Sequence, residues 1–385
     1  MSAEHPLGTL NQLVVSPSRL KLARKRRGLT ATALGRAVEV TPRTISRWED
    51  GEVEPQPANV EALAQALEVP TSFFTAADLD FVPIAAVSFR ALSKMTARQR
   101  DSATAAGAIA VDLGNWIDSR FRLPARNLPT LEGYDPERAA AVVRERWGLG
   151  QTPMHNLVHL LEAQGVRVFS LASDVATVDA YSFTMEGVPH IFLNTEKTGE
   201  RRRFDAAHEL GHLVLHCGDE VPHGKAAEQE AQAFAAALLM PRTTVLAAGL
   251  RNASVDRILR AKGRWKVAAM ALTHRLNELG LLTDWGYRDA CVRLSQMGYR
   301  SGEPSGAIVP ETSQVLAKVF KSLRDQGVGA AEVATQLNIT QHELSRHVFG
   351  LLPLAVDGGH QGGDPPPGKP PLRMIAGGQH PVSRR

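Results

Sequence analysis

The pentapeptide His-Glu-Leu-Gly-His at residues 208–212 constrains this chain more than any other feature. Two histidines four positions apart lie one turn apart on the same face of a helix, so His208 and His212 can both contact one metal ion. Glu209 projects from the neighbouring part of that helix surface. The flanking residues are mostly apolar, so imidazoles here would be partly buried and would need partners. The spacing therefore predicts a metal-binding helix.

The same spacing is typical of zincins, in which zinc lowers the pKa of a water molecule and polarises a scissile carbonyl. Glu209 is then the predicted general base, which takes a proton from that water without binding the metal. The predicted cofactor is Zn2+, because imidazole and carboxylate donors suit this ion. The longer metzincin pattern needs a glycine and a third histidine at positions that are Leu215 and Gly218, so it is excluded.

A catalytic zinc site usually takes three protein ligands, and the third must come from elsewhere in the chain. Downstream, an alanine-rich segment that ends at a proline predicts a second helix. Glu228 and Glu230 are about 200° apart on such a helix, so only one can face the metal. Glu230 shares a helical face with Phe234 and is the predicted third ligand, in a gluzincin-like arrangement. His216, expected at the end of the first helix, and His223 are weaker alternatives.

Composition narrows the fold class. At 385 residues the chain is long enough for about two or three domains. Hydrophobic residues make up 43% and aromatic residues 5%, with many alanines, which indicates a mostly helical protein. The two cysteines imply no disulfide framework and favour a reducing compartment. Since no long apolar run or signal-peptide pattern is present, we expect a cytoplasmic protein without a membrane partner.

Positive charge is concentrated near the N-terminus. Residues 16–50 contain nine Lys or Arg and three acidic residues, which suits a phosphate backbone. One helix ends near Gly28, Thr30 caps a second, and Thr41 followed by Pro42 begins a third. This order predicts a helix-turn-helix, whose second helix enters the major groove of double-stranded operator DNA. A basic helical bundle that binds an acidic protein is the alternative.

The third helix of this region is the predicted recognition helix. Ile45 and Trp48 face inward, which leaves polar residues on the opposite face, and arginine is the usual reader of guanine O6 and N7. The predicted DNA-binding residues are Thr41, Arg43, Thr44 and Arg47. Because proteins with this motif usually bind paired half-sites, we expect a homodimer.

Two parts of the chain resemble known families. GLTATALGRAVEVTPRTISRWEDGEVEP is similar to the XRE (Cro/C1-type) helix-turn-helix family. YSFTMEGVPHIFLN, RRRFDAAHELGHLVLH and EQEAQAFAAALLMP resemble the ImmA/IrrE family of zinc metallopeptidases. The resemblances cover about 20–75 and 135–245. Their order and the intervening VSFRALSKMTARQRD also resemble the fused regulators of this group.

The resemblance implies a function and a set of residues. The zinc ligands of the family fall on His208, His212 and Glu230, and its catalytic glutamate falls on Glu209. It also implies a protein substrate, such as another helix-turn-helix repressor. Two positions depart from the family pattern. Gln232 replaces an asparagine near the metal. Pro42 replaces a polar residue that contacts a base in related repressors, so we expect Arg43 and Arg47 to read the bases instead.

The predicted fold is mostly α with a small α+β zincin domain, preceded by the helix-turn-helix bundle and followed by a C-terminal helical domain. The expected parts are an N-terminal tail (1–16), the XRE-type domain (17–75), a helical linker or dimerisation segment (76–134), the ImmA/IrrE-like domain (135–250), the helical domain (251–355) and a disordered Gly/Pro-rich tail (356–385). Within the zincin domain, residues 188–193 are expected to form an edge strand that binds peptide by β-augmentation.

Three functions fit these observations. The first is a DNA-binding regulator whose zinc domain is a working endopeptidase. The second is a regulator in which the same domain only senses a ligand or metal and catalysis is idle. The third is an enzyme whose N-terminal bundle docks a protein target. Glu209 favours the first, since a domain that only binds a ligand needs no base there.

Overall fold

The computed structural model describes residues 14–80, 82, 87–89, 96–171, 178–217 and 224–352. The predicted Gly/Pro-rich tail lies outside these residues, as does most of the predicted N-terminal tail. The described chain is mostly helical with one small sheet, so the predicted fold class is confirmed. Among the described helices, none combines the length and the apolar character needed to cross a bilayer.

The elements follow one another in a simple order. The N-terminal part contains α1 (Pro17–Arg26), α2 (Ala31–Ala37), α3 (Pro42–Glu49), α4 (Pro57–Leu67) and α5 (Ser72–Thr75). Next come β1 (Ser88–Phe89), α6 (Ala97–Asp118), α7 (Pro136–Arg146) and α8 (Leu157–Ala163). The central part contains β2 (Arg167–Ser170), β3 (Ala180–Met185), β4 (Val188–Leu193), α9 (Gly199–Leu215) and α10 (Lys225–Leu239).

The C-terminal part is helical throughout its regular elements. These are α11 (Arg242–Leu246), α12 (Val255–Lys262), α13 (Ala269–Glu278), α14 (Asp284–Gln296), α15 (Gln314–Asp325), α16 (Ala330–Gln336) and α17 (Gln341–Arg346).

Side-chain caps and one close turn shape the N-terminal helices. The hydroxyl of Thr30 accepts a hydrogen bond from the Ala33 amide at 3.0 Å and begins α2, and Thr41 caps α3 in the same way. A Cβ atom at Gly35 would lie 2.8 Å from the carbonyl oxygen of Val40, so the α2–α3 turn is tight enough to need glycine. The caps predicted from the sequence are therefore present.

The sheet has the order β1-β3-β4-β2. It lies between α6 on one face and α9 on the other. β3 pairs with β1 and β4 in antiparallel fashion, and β4 pairs with β2 in parallel. Residues alternate across the sheet, so Tyr181 donates a hydrogen bond to the Ala103 carbonyl of α6, while Ser182 contacts Glu209 of α9. β4 is an interior strand, so the prediction that 188–193 forms an edge strand is wrong.

Two apolar cores meet at this sheet. The first joins the N-terminal helices, α6 and α15–α17 with the sheet face that carries Tyr181, Phe183 and Phe192. The second joins α7–α14 with the opposite face, which carries Ile191. Sheet residues thus connect the helix-turn-helix region to the helices around α9. The predicted domain boundaries stay predictions.

Glu343 of α17 ties the C-terminal helices to α1. Its carboxylate accepts hydrogen bonds from Arg26 Nε at 2.6 Å and Arg26 Nη2 at 3.2 Å, and it lies 3.2 Å from His347 Nε2. All three side chains are buried. Burial raises the pKa of Glu343, but the charge of Arg26 and the hydrogen bond with His347 outweigh burial and hold this pKa well below its usual range.

We expect Glu343→Gln to lower the free energy of unfolding by about 3–5 kcal/mol, because it leaves the Arg26 guanidinium buried without a carboxylate. Since the folded-state pKa of Glu343 is depressed, its contribution is full above the unfolded pKa of about 4.3 and is lost as the pH falls towards the folded value. Urea unfolding at several pH values measures both effects. Glu332→Gln, at an exposed position on α16, is the control. Equal stabilities of Glu343→Gln and wild type at pH 7 would contradict a stabilising ion pair between Arg26 and Glu343.

Candidate functional site

Helix α9 carries the histidine pair and is buried along almost its whole length. Gly211, inside the pentapeptide, has a packing role. A Cβ atom there would lie 3.1 Å from Cδ1 of Phe234 and 3.2 Å from Cα of Ala231 on α10. The missing side chain lets α9 and α10 approach closely, and this brings the start of α10 to the histidines.

Three side chains converge at the place where α9 meets α10. Nε2 of His208 lies 3.1 Å from Nε2 of His212. The carboxylate oxygens of Glu228 lie 3.3 Å from Nε2 of His208 and 3.4 Å from Nε2 of His212. Burial raises the pKa of Glu228, but hydrogen bonds with the two histidines outweigh burial and lower it to about 2. Within the described part of the chain, these three residues form the group whose donor atoms are close enough to share a metal ion.

The spacing of these donors fits a zinc ion. Four ligands placed tetrahedrally at about 2.0–2.1 Å from zinc are about 3.3–3.4 Å from one another. The three measured donor separations run from 3.1 to 3.4 Å. The donors therefore match one face of a tetrahedron, and the fourth position is the one that a catalytic zinc site keeps for water or substrate.

The structure brings Glu228, and not the predicted Glu230, to the histidine pair. The side chain of Glu230 is 52% exposed, and its Oε2 lies 2.9 Å from Nε2 of His216. Phe234, on the same helical face as Glu230, is fully buried, but this face is open to solvent at Glu230. The apolar pattern of α10 shows which side of the helix is buried. It does not show which of the two glutamates lies next to His208 and His212.

Glu230 nevertheless reaches the site through His216. Nδ1 of His212 lies 2.9 Å from Nδ1 of His216, whose Nε2 contacts Glu230. With a metal bound at Nε2 of His212, one arrangement of protons fits the contacts along His212, His216 and Glu230. His212 donates from Nδ1 to His216, His216 donates from Nε2 to Glu230, and Nε2 of His212 keeps its lone pair for a metal. Carboxylates in such outer positions fix the tautomer of a metal-binding histidine.

The predicted general base, Glu209, is fully buried beside β3. Ser182 donates a hydrogen bond from Oγ to Glu209 Oε2 at 2.7 Å. Glu209 is not among the three convergent donors, in keeping with a residue that acts next to a metal without binding it. Ser182 could not be singled out from the sequence, because its contact with Glu209 depends on how β3 packs against α9.

The relative roles of the two glutamates give a test. We expect Glu228→Gln to weaken zinc binding by more than about 100-fold, because it removes a charged donor, and Glu230→Gln to weaken it by about 10-fold, because it acts through His216. Competition with a chromophoric chelator measures both dissociation constants. A larger effect of Glu230→Gln than of Glu228→Gln would contradict this assignment.

The predicted DNA-binding residues lie on α3, whose buried side is formed by Ile45 and Trp48. Arg43 and Arg47 are exposed, and Nε of Arg47 lies 3.1 Å from a carboxylate oxygen of Glu52. The other two predicted residues pack against each other at the start of the helix. Thr41 is exposed, Thr44 is half-buried, and their hydroxyls are 2.8 Å apart. Ser46 is also exposed on this helix, although it is not among the predicted DNA-binding residues.

Several of the N-terminal basic residues are engaged inside the protein. Arg24 forms two hydrogen bonds with Glu49, at 2.5 and 2.8 Å, and Arg26 pairs with Glu343. Arg27 donates to the Leu67 carbonyl. These three side chains are therefore less available to a phosphate backbone than the exposed arginines of α3 are.

We expect Arg43→Ala and Arg47→Ala each to cost about 1–3 kcal/mol of specific DNA binding and to relax the sequence preference, because each removes an exposed arginine from the predicted recognition helix. Binding to selected operator sequences and to random DNA, measured at one salt concentration, separates the two effects. Arg260→Ala, an exposed arginine of α12, is the matched control. Sequence preference that survives both α3 substitutions would contradict the groove assignment.

Comparison with protein families confirms both resemblances. A family model described as a helix-turn-helix matches residues 20–74. A second model, for peptidase family M78 and described as an IrrE N-terminal-like domain, matches residues 161–277, which include the histidine pair and Glu228. No curated protein gives a significant match to the chain.

Proposed function

We propose that this protein is a transcriptional regulator whose second domain is a working zinc endopeptidase. The proposal starts from the two family matches, to a helix-turn-helix and to an IrrE N-terminal-like domain of peptidase family M78. The regulator acts in the cytoplasm, binds operator DNA as a homodimer and cleaves a protein partner, such as another helix-turn-helix repressor. The observation that carries this proposal is the set of three donors at tetrahedral spacing with a buried glutamate beside them.

The residues present divide the chemistry among them. His208, His212 and Glu228 would hold the metal. When bound, zinc lowers the pKa of water and polarises the peptide carbonyl. Glu209 takes a proton from the attacking water and passes it to the leaving amine, so it ends the cycle in its starting form. The Ser182 hydroxyl holds the Glu209 carboxylate through Oε2, so the proton transfer occurs from a fixed orientation.

Cleavage of a repressor gives a different kind of switch from reversible ligand binding. A cut repressor does not reform, so target genes stay on until new repressor is made. The helix-turn-helix domain would direct this response to particular operators, with half-sites about one helical turn apart.

The complete burial of Glu209 supports a second candidate function. In it, the metal centre only senses a metal or ligand, and the change is passed to the DNA-binding helices through the sheet and α6. Such a regulator needs the donor residues but does not need a base at position 209.

A reporter strain that carries Glu209→Gln separates the two functions. The peptidase account expects loss of induction while the protein is still made at the normal level. Glu196→Gln, at an exposed position just before α9, is the matched control and should induce normally. Normal induction by Glu209→Gln would support the sensor and contradict the peptidase.

A further inference from the structure

Helix α6 places one exposed arginine next to the DNA-binding helices. Arg98 lies in the first turn of α6 and outside both regions that the family models match. We propose that Arg98 binds a backbone phosphate of the operator beside α2, so that the DNA interface extends from the helix-turn-helix onto α6. The inference rests on the DNA-binding part of the proposed function and uses no step of the peptidase chemistry.

The first turns of α6 are fixed against the end of α1. A capping box at Thr96 begins α6. Further along the helix, the Ser102 hydroxyl donates a hydrogen bond to the Arg26 carbonyl at 2.8 Å. Arg98 lies between the cap and this contact, so the structure sets its place relative to α1 from both sides.

The side chain of Arg98 lies across the turn that joins α1 to α2. Gly28 has a φ of +58° in this turn, and a Cβ atom at this position would lie 3.1 Å from Nε and 3.4 Å from Cγ of Arg98. Glycine therefore allows the left-handed backbone and also leaves room for the arginine. Thr30, which caps α2, is two residues further on, so at most about 7 Å separates the Cα atoms of Gly28 and Thr30.

The binding mode of a helix-turn-helix brings DNA close to this turn. The second helix of the motif enters the major groove, and the first helix crosses the phosphate backbone. In this chain the first helix is α2, and residues 30–34, which contain its cap and first turn, are all uncharged. A cation next to the start of α2 therefore supplies an attraction for phosphate that this part of the motif lacks.

Arg98 is free to make such a contact. Its side chain is exposed and forms no ion pair with the described residues. The three basic residues before the turn, Lys25, Arg26 and Arg27, differ in this respect, because each has a carboxylate oxygen within 3.3 Å. A guanidinium keeps its charge and presents several N–H donors in one plane, which suits the oxygens of a phosphate.

Arg98→Ala tests the contact through its salt dependence. Fluorescein-labelled operator DNA, and random duplex of the same length, are titrated with the full-length protein at several salt concentrations, and binding is followed by fluorescence polarisation. One phosphate contact contributes about 0.9 to the slope of log affinity against log salt, which is about 8-fold in affinity at about 0.1 M salt. We expect Arg98→Ala to lose these amounts per bound chain on both DNAs, with the ratio of the two affinities unchanged.

Two further variants control for charge and position. Arg98→Lys keeps the positive charge and should keep the salt dependence of the wild type. Arg122→Ala removes an exposed arginine just beyond the other end of α6, a helix about 33 Å long, and should bind both DNAs as wild type does.

Ethylation interference locates the contact on the DNA. Ethylation neutralises a single phosphate, so it weakens binding where the protein needs that charge. With wild type, one phosphate in each half-site should interfere that no longer interferes with Arg98→Ala. The remaining interfering phosphates should be the same for both proteins, because α2 and α3 are unaltered.

The outcomes separate this inference from the proposed function. Equal salt slopes for Arg98→Ala and wild type, or an identical set of interfering phosphates, would overturn the contact and leave DNA binding in place. A loss of affinity confined to the operator would also overturn it, because a phosphate contact carries no sequence information. Wild-type protein that binds neither DNA would overturn the DNA-binding function together with the contact. Cleavage plays no part in the assay, so an idle peptidase domain would leave the expected results unchanged.

Discussion

Replacing His208 and His212 together by alanine is expected to reduce bound zinc from about one ion per chain to nearly none. The two imidazole nitrogens lie 3.1 Å apart and supply two of the three convergent donors. The double substitution leaves Glu228 as a single carboxylate, which cannot hold zinc against solvent. Elemental analysis of the dialysed protein by inductively coupled plasma mass spectrometry measures the metal content.

The control for this double substitution has the same spacing and chemistry. His155→Ala with His159→Ala also removes two histidines four positions apart, but neither belongs to the group of convergent donors. This control should keep its zinc. Unchanged metal content after replacement of His208 and His212, in protein with normal circular dichroism, would remove the metal centre from the account.

Replacing Glu209 by glutamine is expected to lower kcat by about 10²–10⁴-fold, the usual contribution of a general base. The glutamine side chain has the same size, and its amide oxygen can still accept the hydrogen bond from Ser182, but it cannot take up a proton. Zinc content and DNA affinity should not change, because Glu209 is not one of the convergent donors and α3 is unaltered. Initial rates with a cleaved partner protein give the effect on kcat.

The exposed Glu196→Gln variant controls for the loss of a negative charge near α9 and should keep the wild-type kcat. A Glu209→Gln protein that turned over at the wild-type rate would mean that another group accepts the proton. The zinc content of every variant is measured in parallel, so a loss of metal is not mistaken for a loss of the base.

Local features of the sequence predicted most of the elements and part of the site. The caps at Thr30 and Thr41 depend on contacts three residues away, so they could be read from the sequence. The proximity of His208 and His212 likewise follows from the helical repeat alone. Both glutamates weighed as the third ligand lie on one helix, α10, which the alanine-rich segment predicted.

Features that depend on tertiary packing could not be predicted in this way. The choice between Glu228 and Glu230 depends on how α10 crosses α9, which is set by the close approach at Gly211. The hydrogen bond between Arg26 and Glu343 joins residues 317 positions apart. The positions of Ser182 and of β1 depend on the order of strands in the sheet, and a short strand in a linker has no periodicity to identify it.

The most direct test of the central claim is cleavage of candidate repressor proteins by the zinc-loaded chain, followed by intact-mass spectrometry. The account predicts that the wild-type protein produces two fragments of one repressor, whose masses sum to that of the repressor plus one water. It predicts that Glu209→Gln, with the same zinc content, produces no fragments. Fragments of equal yield from both proteins, or no fragments from any candidate with the wild-type protein carrying one zinc per chain, would contradict the claim that this domain is a working endopeptidase.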